Sequence, residues 1–266
     1  MLLASTIGLD LQEPLSAFAR DGYARLGPVL SAAAAQRLRE RADALMLGES
    51  PYPGLFYQHD SPTGRYEDLV FGAGWVGPSL SYRKLEKLEL DPFFEAWIEN
   101  PLFGRIARAA LGEEVSLYRA VLWNKRALTG MELPWHQDDG AFWGLDRSPS
   151  LQIWTALDDA PVGGGCIEVL PGSHRGGLAT ELGGTVPDDC LDAARAESFS
   201  LPLPVAAGEA LLIHNHVWHR SKRNTSTAPR RAIGISYLAA ATRCKRKKRR
   251  PREFRRVFLG ESGTHP

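Results

Sequence analysis

The stretch VSLYRAVLWNK, Val115–Lys125, decides how the rest of the chain is read. It is rich in Val, Leu, Tyr and Trp and holds neither Gly nor Pro, the profile of a β-strand. Outward from it, toward the C-terminus, the same texture recurs in Leu151–Leu157, Cys166–Leu170, Ala210–His216 and Ala232–Leu238. These runs are bounded by Gly, Pro, Asp and Ser clusters, and long insertions such as Gly172–Ser200 separate some of them. Toward the N-terminus the texture is mostly helical. Leu15–Arg20 carries a short helical pattern and Gly22–Leu26 a candidate strand. Ser31 is a good N-cap for a helix running to about Met46, Asp91 can cap Pro92–Asn100, and Pro101 suits the first turn of a helix ending near Gly112. The Gly- and Pro-rich stretch 48–80 reads as loop, with Tyr52, Phe56, Tyr57 and Trp75 available to cover a pocket or pack on the core. Many short strands after a helical N-terminal region predict a mainly β fold with flanking α, a β-sandwich or jelly roll decorated with helices. No alternating strand–helix pattern is present. Gly163-Gly164-Gly165 precedes a strand instead of opening a helix, so it reads as a turn and not as a phosphate loop.

A chain of 266 residues can bury a substantial core and fits one domain over 1–266: a helical part at about 10–112, a strand-rich core at about 114–240 and a basic C-terminal segment, 243–256. No apolar run approaches membrane-spanning length, and Met1–Thr6 lacks the basic flank of a secretory signal. Three widely spaced cysteines, Cys166, Cys190 and Cys244, argue against a disulfide framework and for a reduced, cytoplasmic protein. The net charge of +1 conceals an asymmetry. Segment 243–256 holds ten of the 32 basic residues and one of the 31 acidic ones, leaving the remainder at 22 basic against 30 acidic. Such a segment can contact phosphates, nucleic acid or an anionic surface, or lie solvated, or pair with the acidic body.

Chemistry concentrates at His136-Gln137-Asp138, followed much later by His219 and Arg230. Residues i and i+2 of an extended segment project to one side, so His136 and Asp138 can aim an imidazole and a carboxylate at a common point. A second imidazole from a distant strand would complete a two-His, one-carboxylate face with open positions, the ligand set of non-haem Fe(II) oxygen chemistry and not of a closed structural zinc site. The arginine could hold the far carboxylate of an organic co-substrate. His-x-Asp is also an ordinary polar turn, and His216 competes with His219 as the third ligand on spacing alone. His174 reads as a hydrogen-bonding loop residue, and His59 and His265 carry no signal. Trp135, Phe142, Trp143 and Trp218 flank the candidate ligands and could line a pocket or belong to the core.

Five stretches in order resemble the phytanoyl-CoA dioxygenase family of Fe(II)/2-oxoglutarate-dependent oxygenases. They are Asp21-Gly22-Tyr23 with Leu30-Ser31, the His136-Gln137-Asp138 tripeptide, Gln152–Asp159, Gly165–His174, and Gly208–Ala210 with His219-Arg220-Ser221, Asn224 and Arg230–Ala232. The resemblance spans most of residues 15–240, and the basic segment lies outside it. It implies a double-stranded β-helix, a cupin-like jelly roll, whose mouth holds Fe(II) on His136, Asp138 and His219. It implies that Arg230 pairs with the distal carboxylate of 2-oxoglutarate, helped by the Ser221 hydroxyl. Trp154 and Lys84 would lie near the co-substrate, with Lys87 a competitor for Lys84, and Gln137 would touch it. The chemistry implied is O2-dependent decarboxylation of 2-oxoglutarate to succinate and CO2, coupled to hydroxylation of a small molecule. Halogenating relatives carry a small residue where this chain has Asp138, which favours hydroxylation, desaturation or rearrangement. Readings from other classes are a non-catalytic jelly-roll binding protein whose basic segment contacts nucleic acid or an acidic partner, and a metal-dependent isomerase or hydrolase needing no 2-oxoglutarate. Substrate identity and oligomeric state do not follow from the sequence.

Overall fold

The computed structural model describes residues 9–50, 53–246 and 251–260. Local sequence explains the first elements. Helix α1 (Gln12–Asp21) buries Phe18 and ends at Gly22, whose φ of 81° is the left-handed cap that glycine tolerates. Strand β1 (Tyr23–Pro28) follows. Helix α2 (Ala32–Leu47) starts where the Ser31 hydroxyl accepts the Ala34 N–H, and buries Ala34, Ala35, Leu38, Ala42, Leu45 and Met46 along one stripe. Next come β2 (Phe56–His59) and β3 (Tyr82–Glu86), then α3 (Pro92–Ile98), whose Phe93 N–H is accepted by Asp91, and α4 (Pro101–Leu111), capped by Asn100. The remaining elements are β4 (Val115–Lys125), β5 (Leu133–Gln137), β6 (Leu151–Ala156), β7 (Ile167–Val169), β8 (Gly184–Thr185), α5 (Asp188–Ala193), α6 (Ala196–Phe199), β9 (Leu201–Leu203), β10 (Glu209–Ile213), β11 (His219–Ser221), β12 (Arg230–Ala239) and β13 (Arg256–Phe258).

The strands form two antiparallel sheets. The larger runs β1-β10-β6-β12-β4-β3-β2, with β13 added to the start of β4; the smaller runs β8-β5-β11-β7-β9. One face of the large sheet carries α2, α3 and α4 over a core that includes Leu38, Trp97, Phe103, Leu122, Ile153, Ile235 and Tyr237. A second core, with Trp154, Ile167, Val169, Leu211, Ile213 and Ala232, joins the two sheets. This is the expected jelly roll with N-terminal helices.

Several expectations need correction. Segment 48–80, read as loop, contains β2, and the N-terminal third supplies β1, β2 and β3 to the large sheet. The run Ala210–His216 stops being a strand at Ile213, so His214 and His216 lie in the following loop. Within the basic segment, Arg255 pairs with Glu95 and Glu99, Arg256 with Glu114, and Arg252 and Arg246 donate to the carbonyls of Tyr118 and Phe142. These cations pair with the body, which is one of the alternatives the sequence left open and not a correction. Residues 247–250 of that segment lie outside the described residues, as do Met1–Thr6, Tyr52 and His265. No helix among the described residues is long and apolar enough to cross a membrane.

Candidate metal centre

Register builds the site. Strands β5 and β11 pair antiparallel with His136 directly opposite His219, so both imidazoles leave the same face of the small sheet. Their ring centroids stand 4.0 Å apart. Each ring is oriented the same way: Nδ1–H donates to the carbonyl two residues back, His136 to Pro134 at 2.8 Å and His219 to Val217 at 2.9 Å. That fixes the tautomer and turns each Nε2 inward. Asp138, just past the end of β5, projects to the same side, and its Oδ2 lies 3.6 Å from His219 Nε2. One ligand atom from each of His136, Asp138 and His219 falls within 4.8 Å of the others. Two imidazoles and one carboxylate on a single face fit an octahedral Fe(II) with three positions open.

The carboxylate is held on both oxygens. Arg119 donates to Oδ1 at 3.1 Å and Gln152 to Oδ2 at 2.8 Å. The backbone is held too, because the Asp138 N–H donates to the Asn215 carbonyl and the Asn215 amide donates back to the Asp138 carbonyl. Burial alone would raise the Asp138 pKa, but the Arg119 guanidinium and the two imidazoles hold it far below the usual carboxylate range. His136 is pushed down to about 4, first by burial and then by His219. A neutral imidazole and an ionised carboxylate are the protonation states a metal needs.

Trp154, Ser221 and Arg230 line the cavity that contains the triad. Arg230 on β12 is buried, stands over Trp154 at 5.6 Å, and among the described residues donates only to the Gly165 carbonyl, at 3.0 Å. Among the described residues its Nε has no acceptor and no carboxylate pairs with it. Burial pulls its pKa down to about 10. A guanidinium held this way is preorganised for an incoming carboxylate.

Two expected residues are placed elsewhere. The Gln137 side chain projects to the opposite side of β5, donates to the carbonyls of Gly177 and His216 and accepts the Ala179 N–H, so it clamps loops and does not touch the cavity. Lys84 does not line the cavity either; it pairs with Glu86 at 2.5 Å beneath Phe56 and Trp123. Lys87 is exposed in a left-handed turn. His216 is engaged by Asp139 at 2.8 Å, which removes it as a ligand, and His174 meets the Ala19 carbonyl as a loop residue. Trp135 and Trp143 are buried in separate apolar clusters, Trp218 packs against the former, Phe142 is exposed, and the cavity's tryptophans are Trp123 and Trp154.

Sequence reading missed Arg119, Gln152 and Asn215, which hold Asp138, and Lys125 and Arg83, which line the cavity. Gln152 had a signal, since period-two alternation puts it on the same face as Trp154. Arg119 likewise alternates with Trp123 on β4. Asn215 and Arg83 have no local signature, because their roles depend on partners far away in the chain.

Comparison with known proteins supplies the family and agrees with the fold. The family model for phytanoyl-CoA dioxygenase (PhyH) matches residues 18–232. The bovine phytanoyl-CoA dioxygenase domain-containing protein 1 is 30% identical over 159 residues, covering 57% of this chain and 55% of that protein. The chain thus spans about half the length of this relative. An L-proline trans-4-hydroxylase from Streptomyces griseoviridis is 25% identical over 244 residues, 83% of each chain. Among solved structures, EctD from S. alaskensis, crystallised with 2-oxoglutarate and 5-hydroxyectoine, superposes with a TM-score of 0.72 at 22% identity, covering 94% of this chain and 83% of its own.

Proposed function

The chain belongs to the phytanoyl-CoA dioxygenase family, and from that premise we propose that it is a non-haem Fe(II)/2-oxoglutarate-dependent dioxygenase that hydroxylates a small molecule. The observation that carries the reading is the conjunction of the His136–Asp138–His219 face with a buried Arg230 that meets no carboxylate among the described residues, in one cavity. His136, Asp138 and His219 would hold the ion, and Arg230 would take the distal carboxylate of 2-oxoglutarate beside the Ser221 hydroxyl and Trp154. O2 would be the oxidant: bound Fe(II) would activate it, 2-oxoglutarate would give up two electrons as it becomes succinate and CO2, and the substrate would give up two more as it gains a hydroxyl. The protein's part is positioning. Arg119 and Gln152 fix the plane of the Asp138 carboxylate, and the Nδ1–H bonds fix both imidazoles. Likeness to an L-proline hydroxylase supports a small-molecule substrate. Three cysteines free of disulfides fit a reducing, cytoplasmic setting.

The test is spectroscopic. Anaerobic protein with Fe(II) and 2-oxoglutarate should develop a weak visible charge-transfer band, and Asp138→Ala should lose hydroxylating turnover. Under air and with substrate, succinate should appear in step with oxidised product. A wild-type protein that binds Fe(II) but gives no such band sinks the assignment.

A further inference from the structure

The cavity that holds the triad is lined by four cationic side chains, Arg83, Lys125, Arg220 and Arg230, and their partners can be followed one by one. Lys125 spends all three ammonium protons on backbone carbonyls, those of Met131 and Ser221 at 2.8 Å and that of Lys222 at 2.5 Å. Arg220 is paired with Glu168 at 2.7 Å and with Glu197. Under the oxygenase reading, Arg230 receives the distal carboxylate of 2-oxoglutarate, and the other carboxylate of that molecule goes to the metal. Arg83 is left over.

Arg83 lies on β3 and is 8% exposed. Its only hydrogen bond among the described residues runs from Nη1 to Gln58 Oε1, at 2.8 Å. Its Nε has no acceptor among them. A guanidinium can only donate, so it fixes the Gln58 amide with oxygen toward itself, and the Gln58 Nε2 is also buried without an acceptor. Asp60 and Glu86 act on Arg83 through space, but neither pairs with it: Glu86 is engaged by Lys84, and Asp60 accepts the Ser61 N–H. The guanidinium stands over the Trp123 ring, 5.6 Å from its centroid, and Trp123 lines the same cavity. A buried cation with one edge of its fork unused costs stability in the empty protein, and a cation–π contact offsets only part of that. The missing component is a planar acceptor pair, which a carboxylate supplies bidentately.

We propose that Arg83 anchors a carboxylate of the molecule to be oxidised, so that the enzyme acts on a small carboxylic acid whose body packs on Trp123. The proposal rests on the oxygenase reading, and its test separates the two. The holoprotein with Fe(II) and 2-oxoglutarate, kept anaerobic, is titrated with benzoate and with benzamide as probes, following the charge-transfer band and the heat of binding. Benzoate should bind and shift the band, with benzamide about tenfold weaker or worse. Arg83→Met should abolish the preference for the acid while leaving the 2-oxoglutarate midpoint within about twofold of wild type. The metal-free Arg83→Met protein should melt at or above the wild-type temperature, because an unpaired buried charge has been removed. Arg83→Lys, which keeps the charge and loses the fork, should retain the preference with affinity about tenfold weaker, and covers the case in which Arg83→Met fails to fold. Three results overturn the proposal: benzoate binding no better than benzamide, benzoate binding unchanged in Arg83→Met, or a roughly tenfold loss of 2-oxoglutarate affinity in that variant, which would make Arg83 a co-substrate ligand. A wild-type protein with no charge-transfer band removes the oxygenase reading itself, and this proposal with it.

Discussion

Single residues in the cavity keep their charges away from water and, among the described residues, without the side-chain counter-ions such charges usually have. Arg230 is the plainest case, a buried guanidinium whose natural counter-ion is not another side chain. Truncating one member of a buried charge pair costs about 2–5 kcal/mol. Arg230→Met should therefore raise the 2-oxoglutarate midpoint by about 30-fold or more, read from the charge-transfer band, while Fe(II) affinity stays near wild type; an unchanged midpoint would refute the assignment. The histidines give a pH prediction. His136 and His214 are each pushed down to about 4, His136 by burial and then His219, His214 by burial and then by His216 and His174. Between about pH 6.5 and 4 the unfolded chain binds protons at these positions that the native state refuses, so stability falls as pH falls through that window and levels off below it. The metal-free melting temperature should drop accordingly between pH 7 and 4. His214→Gln should flatten the drop, and a parallel curve for the variant would remove His214 as its source.

At the scale of elements, the site depends on backbones approaching more closely than side chains permit. Gly183, at φ 75°, lies where an added Cβ would stand 1.7 Å from the Asp139 carbonyl oxygen. Only glycine lets this loop close against the residue that follows the Asp138 ligand. Gly183→Ala should destabilise the fold by about 2 kcal/mol or more and weaken Fe(II) binding although it touches no ligand, as checked by urea denaturation and metal titration. The same scale explains what could be read in advance. Val115–Lys125 is long and unbroken, and its ends in the structure agree with the sequence; α2 was marked by Ser31 and its alanine stripe. Strands β2, β3, β5 and β11 are three to five residues long, too short for periodicity to register, and exist because partners across the sheet accept their hydrogen bonds. His136, Asp138 and His219 were legible because i, i+2 geometry and a late histidine suffice to state a metal face. The fixing of Asp138 by Arg119 and Asn215 was not, since those contacts span 19 and 77 residues and only the folded topology creates them.

For the whole molecule, the question is what holds the basic C-terminal segment to the acidic body. Charge is the obvious answer from composition, yet the ion pairs described are solvent-facing: Arg255 is 42% exposed and its partners Glu95 and Glu99 are 39% and 41% exposed. Exposed pairs contribute about 0–1 kcal/mol each. Phe258 on β13 is different. It is 7% exposed, its ring lies 5.7 Å from that of Tyr237, and it fills the space left by Gly104, where an added Cβ would come within 3.0 Å of it. Emptying such a site leaves a cavity in the principal core and costs about 3 kcal/mol. Phe258→Ala should therefore lower the urea midpoint by that equivalent, whereas Arg255→Gln should change stability by less than about 1 kcal/mol and only at low salt. If the ranking is reversed, the segment is bound by charge and free to exchange its acidic partners on the body for others. If it holds, the strand is anchored by an apolar staple, and its arginines are a consequence of where β13 lies, not the reason it stays there.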